Sequence, residues 1–497
     1  MNNPFIWLIG IPLIASPLIY FSGHLVQRKL KVSLSQITAL IALLVSWIPF
    51  VQTAIILQQS DGISFSVGAI SLNFDGISLL LAGVTLALGT LVVLYSRVYL
   101  KAEEGQDKFY AVLVAMIGLI IGLGSASDLF NLWIWFEAMA IASYLLVAFY
   151  RQQSASLEAG IKYLVQSAAG SVLVLIGIGL VLMETGSLNL AEIRSFAQPS
   201  PLLPAAGALF IIGFGVKAAL VPMHTWLPDA HSKAPSGISA MLSGVVIEAG
   251  LIAMLRALTS ISAISNIWGP LLMGFGAVNM LAGNLLALRQ KQVKRLLAFS
   301  SLAHIGYMLA GIGIAIYAQQ IDGAQGGLFH LLNHGMMKGL AFLAAGSLLY
   351  TLHISSGSHG ALTVDELSGA GRRYPLVAFA FSLAILGLGG IPPLAGFMSK
   401  WQIVVSGFET HNLWIDLLAI FIALNSVLSL AYYAPMVNAM YKQEQSPAVR
   451  TGSSMPISMS IPLVGLSAFI VLVGIWPSLT SWIVSPAGNA LMNAFGR

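Results

Sequence analysis

Three side chains that trade protons stand four residues apart in the stretch FHLLNHGMMKGLAFLAAG: His330, His334 and Lys338. On an α-helix, positions i, i+4 and i+8 share one face. At 1.5 Å per residue they make a polar stripe roughly 12 Å long. Histidine titrates near neutral pH, and a lysine withdrawn from water moves toward that range, so the stripe suits proton relay. Two histidines at i, i+4 also suit a metal ion. Here no cysteine and no adjacent acid completes a ligand set, and a lysine follows, so no metal is expected. Further titratable residues stand inside long apolar runs. They are Glu137 in NLWIWFEAMAIASYLLVAFY, Lys217 in LFIIGFGVKAALVPMHTWLPDAH, Glu248 in GVVIEAGLIAMLR, His304 in AFSSLAHIGYM and Lys400 in LAILGLGGIPPLAGFMSKW.

The runs that must position these residues define the class. Of 497 residues, 57% are hydrophobic and 8% charged, against about 25% charged in a soluble domain. Mean hydropathy is +0.87. These values exclude a soluble enzyme, a nucleic-acid binder and a disordered chain. They predict an all-α polytopic membrane protein. At about 20 apolar residues per span, the runs predict about 14 transmembrane helices. These fall near 4–22, 33–57, 77–100, 109–127, 129–150, 157–183, 203–221, 236–258, 267–288, 292–318, 325–352, 375–398, 412–440 and 459–483. The segment 61–75 alternates and is too polar to span, which predicts a surface hairpin. The N-terminus lacks a basic leader and continues into a full span, so it reads as a first helix rather than a cleaved signal. Without cysteine, thiolate iron–sulfur ligation, disulfides and redox Cys pairs are excluded. No Rossmann or P-loop glycine pattern is present. No cofactor is expected on this chain.

Basic residues orient the spans. Loops after odd-numbered spans hold Arg28, Lys29, Lys31, Arg97, Lys101, Lys108, Arg151, Lys233, Arg289, Lys291, Lys294, Arg295, Arg372, Arg373, Lys442 and Arg450. Loops after even-numbered spans hold Arg194 and, at a helix end, Arg256, and Arg497 closes the chain. The positive-inside rule places the odd loops on the cytoplasmic side or its equivalent, and both termini opposite.

Four lysines, Lys162, Lys217, Lys338 and Lys400, fall within or at the edge of spans, and Glu137 and Glu248 lie deep. A charge at mid-bilayer costs about 2.5–3.5 kcal/mol on insertion scales, so each is a functional candidate. Glu137 needs a cation to stay ionised, and Lys162 and Lys217 are the candidates. A static pair that only fixes packing is the competing reading. Pro222, five residues after Lys217, predicts a broken seventh span. Pro392 and Pro393, before Lys400, predict a broken twelfth. Freed backbone groups are tolerated only beside protein or water. A kink with a snorkelling lysine is the rival explanation for Lys400. With the break in the fourth of five spans each time, residues 109–258 and 267–440 form two inverted five-helix repeats, flanked by 1–108 and 441–497.

Four stretches carry a family resemblance: DLFNLWIWFEAMAIASYLLVAFY, GFGVKAALVPMHTWLPDAHSKAPSGISAMLSG (213–244), KRLLAFSSLAHIGYMLAG (294–311) and HLLNHGMMKGLAFLAAGSLLY (330–350). The sequence resembles the proton-conducting antiporter-like subunits of respiratory complex I. These are shared with Mrp-type Na⁺/H⁺ antiporters and membrane-bound hydrogenases, and the likeness covers most of residues 60–440. It implies that Glu137 and Lys217 form the family's ion-pair switch. It also makes His334 and Lys338 the central relay, and Lys400 the twelfth-span lysine of one branch. Glu248 stands where many relatives carry lysine or histidine. The chain also ends soon after the fourteenth span, as in the family's shorter subunits.

The resemblance implies a proton-translocating subunit beside other membrane subunits, in a bacterial plasma membrane or a thylakoid. Protons would enter near the seventh span, pass His304, His330, His334 and Lys338, and leave near Lys400. A subunit of a multisubunit Na⁺/H⁺ antiporter, with Na⁺ as the second ion, a subunit of a membrane-bound hydrogenase and a structural scaffold are the alternatives.

Overall fold

The computed structural model describes residues 3–26, 34–68, 70–196, 198, 200–262 and 267–496. Arg28, Lys29, Lys31 and Arg497 lie outside the described residues. The chain opens with α1 (Pro4–Val26) and α2 (Leu34–Leu57). Next comes an antiparallel hairpin of β1 (Gly62–Val67) and β2 (Ile70–Asp75), with Gly62 opposite Asp75 and Val67 opposite Ile70. It is the hairpin expected over 61–75. Asp75 starts α3 (Gly76–Tyr99) through a capping box: its carboxylate accepts from the Ser78 amide at 2.9 Å, and Ser78 Oγ accepts from the Asp75 amide at 3.2 Å. Then follow α4 (Gln106–Ser125), α5 (Leu129–Val147), α6 (Ser154–Thr185) and the short α7 (Leu190–Phe196).

The seventh span is broken as expected, into α8 (Leu202–Lys217) and α9 (Trp226–Lys233). The eighth is a continuous helix from Ser236 to Ser260. It contains α10 (Ser236–Met241), a π-helical turn (Leu242–Val246) and α11 (Ile247–Ser260). Beyond it lie α12 (Trp268–Leu288), α13 (Val293–Ala318), α14 (Ile321–Leu352) and the small α15 (Ala370–Arg373). The twelfth span divides into α16 (Pro375–Gly389) and α17 (Ala395–Phe408). The chain closes with α18 (Leu413–Met440), α19 (Pro447–Thr451), α20 (Ile457–Ile475) and α21 (Ser481–Ala494).

Among the described residues, 12 helices are long and apolar enough to cross a membrane. The shorter α8 and α16 occupy the places of the seventh and twelfth spans. The protein is an all-α polytopic membrane protein.

One boundary differs in kind. The last span, expected over 459–483, stops at Ile475. Trp476 precedes Pro477 and takes φ −131°, ψ 73°, because a residue before proline is pushed out of the helical region. The chain then turns into α21, which packs back on α3 and α14. Gly76 permits this, since a Cβ there would overlap the Pro486 carbonyl.

The helix from Ser236 to Ser260, α13 and most of α14 are buried by the others. The outer helices α1, α2, α6 and α18 turn Trp7, Ile48, Val165 and Val427 outward. The polar groups of the inner helices are therefore shielded from lipid by protein, as intramembrane charges require.

Candidate functional site

The two breaks fix the ends of the site. After Lys217 the chain leaves the helix, and Ala219 takes φ +56°, a left-handed conformation that costs a non-glycine residue about 1–3 kcal/mol. The freed backbone groups are met by protein. Asn279 on α12 accepts from the Val221 amide at 2.9 Å and donates to the Ala219 carbonyl at 3.2 Å. Trp226 Nε1 donates to the Val216 carbonyl at 2.7 Å. The second break uses the same device. Asn333, between the two histidines of α14, donates to the Ala395 carbonyl at 2.9 Å, and Ser426 on α18 donates to the Gly389 carbonyl at 3.0 Å. Each break is thus satisfied from neighbouring helices, as a membrane interior demands.

Lys217 is the last residue of α8 and fully buried, where the negative end of a helix favours a cation. Its Nζ donates to Ser167 Oγ at 3.1 Å and lies 4.1 Å from the centre of the Tyr163 ring. Tyr163 is held flat against Trp226, centroids 3.8 Å apart, and shares a hydrogen bond with Ser143 at 2.9 Å. Glu137 is half-buried, with Oε1 enclosed and unpartnered. It is in electrostatic range of Lys217 but out of contact. Lys162, the other candidate partner for Glu137, is not one. It sits on the outer face of α6, half-exposed, and pairs with Glu158 at 2.7 Å and Asp229 at 3.3 Å. Arg295 holds Asp229 from the other side at 2.5 Å.

The centre of the molecule gathers the remaining candidates. His334 Nδ1 and Glu248 Oε1 are 2.7 Å apart, both side chains fully buried. The second Glu248 oxygen and His334 Nε2 have no partner. The contact depends on two glycines. A Cβ on Gly244 would stand 2.8 Å from the Gly335 carbonyl oxygen, and one on Gly335 would stand 2.8 Å from the Gly244 carbonyl oxygen. Gly244 lies in the π turn, and such turns recur at functional sites. Next to the pair, His304 Nδ1 meets His330 Nε2 at 2.9 Å, and His330 Nδ1 meets Ser399 Oγ at 2.9 Å. The rings of His304 and His334 are 5.0 Å apart.

Lys338 and Lys400 flank this group. Lys338 Nζ donates to the Leu297 carbonyl at 2.7 Å and to Ser300 Oγ. Lys400 is buried rather than snorkelling. It donates to the Leu388 carbonyl at 2.7 Å and to Ser426 Oγ at 2.9 Å, over the Tyr307 ring at 4.5 Å. The structure thus brings Glu248, His304, His330, His334, Lys338 and Lys400 into one interior region, with Glu137 and Lys217 in a separate group.

Sequence reasoning missed three buried groups. Lys294, counted above as a loop residue, is the second residue of α13. It is buried and donates to the Ala234 carbonyl at 2.5 Å. His231 on α9 is fully buried. Its position in LPDAH, just past a proline break, was the available signal. Arg256, read as a helix-end charge, is buried against Asp75, with NH2 to Oδ1 at 2.7 Å and NH1 to Oδ2 at 3.1 Å.

Residues 126–429, which contain every candidate residue named above, match the family described as NADH:quinone oxidoreductase/Mrp antiporter, transmembrane. Residues 63–110 match the N-terminal region of complex I chain 5. The chain belongs to the NADH:quinone oxidoreductase/Mrp antiporter family. It is 33% identical to F420H2 dehydrogenase subunit N of Methanosarcina mazei, over 84% of this chain and 85% of that one. It is 35% identical to NADH-quinone oxidoreductase subunit N 1 of Sorangium cellulosum, over 78% of each. Among solved structures of this family's fold, a chain of the archaeal membrane-bound sulfane sulfur reductase superposes with a TM-score of 0.87. It is 27% identical, covering 99% of this chain and 98% of that one.

Proposed function

We propose that this chain is a proton-translocating, antiporter-like subunit of a complex I-like membrane assembly, moving protons along buried Lys, Glu and His groups beside other membrane subunits. Electron transfer resides on those partners, and this chain carries no cofactor. The observation that carries the reading is the hydrogen-bonded interior line from His304 through His330 to Ser399, with the Glu248–His334 pair at its side and a lysine at each flank.

The line suits relay for a chemical reason. A neutral imidazole has one donor and one acceptor. If His304 donates to His330 Nε2, then His330 Nδ1 donates to Ser399, and a proton entering at one end reverses each donor in turn. Glu248 offers a carboxylate where many relatives carry a lysine or histidine, so His334 can hand a proton to an oxygen and recover it. At the other group, closing Glu137 on Lys217 would draw the amine away from Ser167 and Tyr163. That motion couples the chain to its neighbours. The matched breaks support two inverted five-helix repeats over 109–258 and 267–440, with the basic loops facing the cytoplasmic side.

The test is reconstitution of the whole assembly with Lys217→Ala, Glu137→Ala or Lys338→Ala, reading protons moved per electron. The expected result is a loss in each variant. Unchanged pumping in all three removes the reading.

A further inference from the structure

The hydrogen-bonded line ends at the hydroxyl of Ser399, and a hydroxyl on a helix has a rival partner. Serine and threonine there commonly donate to the carbonyl three or four residues back. Ser46, Thr53, Thr85 and Ser347 do so, to Ala42, Pro49, Leu81 and Leu343, at 2.6–2.9 Å. So does Ser406, two turns further along α17, to the Ile403 carbonyl at 2.8 Å. Ser399 departs from this pattern. Its Oγ stands 3.4 Å from the Ala395 carbonyl oxygen and 3.3 Å from that of Gly396, outside the range of about 2.5–3.0 Å for an O–H···O bond. Its short contact is the one to His330 Nδ1 at 2.9 Å.

The reason lies on α14. A carbonyl oxygen has two lone pairs. Ala395 is the first residue of α17, so the Ser399 amide takes one of them through the regular helical bond. Asn333 Nδ2 takes the other at 2.9 Å. The place where the Ser399 hydroxyl would settle is filled. The opposite end of the Asn333 amide, Oδ1, is buried and unpartnered. An oxygen left so is costly, which marks the residue as kept for its NH₂ group.

We infer that Asn333 is a positioning residue for the relay: by filling the Ala395 carbonyl it leaves the Ser399 hydroxyl free to turn between accepting from His330 and donating to it. The inference rests on the proton-translocating reading and adds a residue that the line needs and that carries no proton itself. In one direction of the line, His330 Nδ1–H donates to Ser399. In the reversed line, the Ser399 O–H donates to a bare His330 Nδ1. The serine holds one hydroxyl proton in both states, and only its direction changes. A free carbonyl at about 2.8 Å would capture that proton in each cycle and hold the line in the first state.

The test uses the reconstituted assembly and reads the pumping rate in light and heavy water. Asn333→Leu keeps the bulk and removes the NH₂ group. Pumping should fall several-fold and the isotope ratio should rise, because proton motion at Ser399 becomes limiting. A residue that only supports the break would lower pumping and leave the ratio alone. Ser399→Ala should lower pumping by about tenfold or more, and Ser406→Ala should keep the wild-type rate. Asn333→Leu combined with Ser399→Ala should be no worse than Ser399→Ala alone, since one residue acts through the other. Full pumping in Asn333→Leu, an unchanged isotope ratio or additive losses in the double variant overturn the inference. Asn333→Ala repeats the test should leucine obstruct assembly. Failure of both to assemble also overturns it, because the released Ala395 carbonyl has the Ser399 hydroxyl within reach and the break should survive. Lys338→Ala separates the two levels. Lost pumping there beside an unimpaired Asn333→Leu rejects only the role of Asn333. Full pumping in Lys338→Ala, Lys217→Ala and Glu137→Ala rejects the reading beneath it.

Discussion

Lys400 reaches back across the break in its own span and donates to the carbonyl of Leu388 at 2.7 Å, so the second half of the helix caps the first. At the other break, Lys217 is the terminal residue of α8 itself. Both first halves therefore end at a buried amine, one supplied by position and the other by reach.

The Lys400 cap should be measurable as stability. Hydrogen bonds from a charged donor contribute about 1.5–3 kcal/mol. Lys400→Met should lower the thermal midpoint of the purified assembly as well as its pumping. Unaltered melting would show that Leu388 finds another partner at no cost.

Glu248 and His334 should behave as a unit. Removing one member of a buried pair costs about 3–5 kcal/mol, because the other is left unpaired. Glu248→Ala and His334→Ala should each destabilise strongly, and the double variant should cost clearly less than their sum in denaturant titration. Glu248→Gln, which keeps the shape, should assemble and fail to pump. Strict additivity would dissolve the pair.

The glycine contact behind that pair has its own test. In Gly335→Ala the new methyl meets the Gly244 carbonyl oxygen at 2.8 Å and Val84 Cγ1 at 2.7 Å. Such overpacking costs about 1–3 kcal/mol. Gly274→Ala on α12, where nothing lies within 4 Å, is the matched control. Pumping should fall in the first and hold in the second, measured side by side in proteoliposomes.

Arg256 and Asp75 tie α11 to the start of α3, about 12 Å along α11 from Glu248. Arg256→Leu leaves Asp75 buried without its counter-ion, held only by Ser78, at a cost of about 3–5 kcal/mol. The yield of assembled complex should drop, while pumping per assembled complex stays at the wild-type level. A selective loss of pumping would give the pair a transport role.

Much of the architecture was legible because bilayer-length apolar runs and prolines speak directly. Pro222, Pro392 and Pro393 announced both breaks, and alternation over 61–75 announced the hairpin. The rotation of each helix was not legible. In a soluble helix the polar face reveals which side is buried, but here both lipid and core are apolar, so Lys162 and Lys217 look alike in sequence. One faces outward to Glu158 and Asp229, the other inward to Ser167. Lys294 was misplaced for a related reason: the first turn of α13 dives into the interior straight from the loop. The partnership of Glu248 with His334 depends on how closely two helices approach, and only the glycines at 244 and 335 hint at that.

The π turn at Leu242–Val246 winds one residue more than a regular coil would need. Tightening that turn into a regular α-helix with every residue kept would swing one end about 100° relative to the other. Glu248 would then face away from its imidazole while every side chain of the line remained in place. The meeting of Glu248 with His334 is thus a matter of phase, set by one surplus residue a turn away.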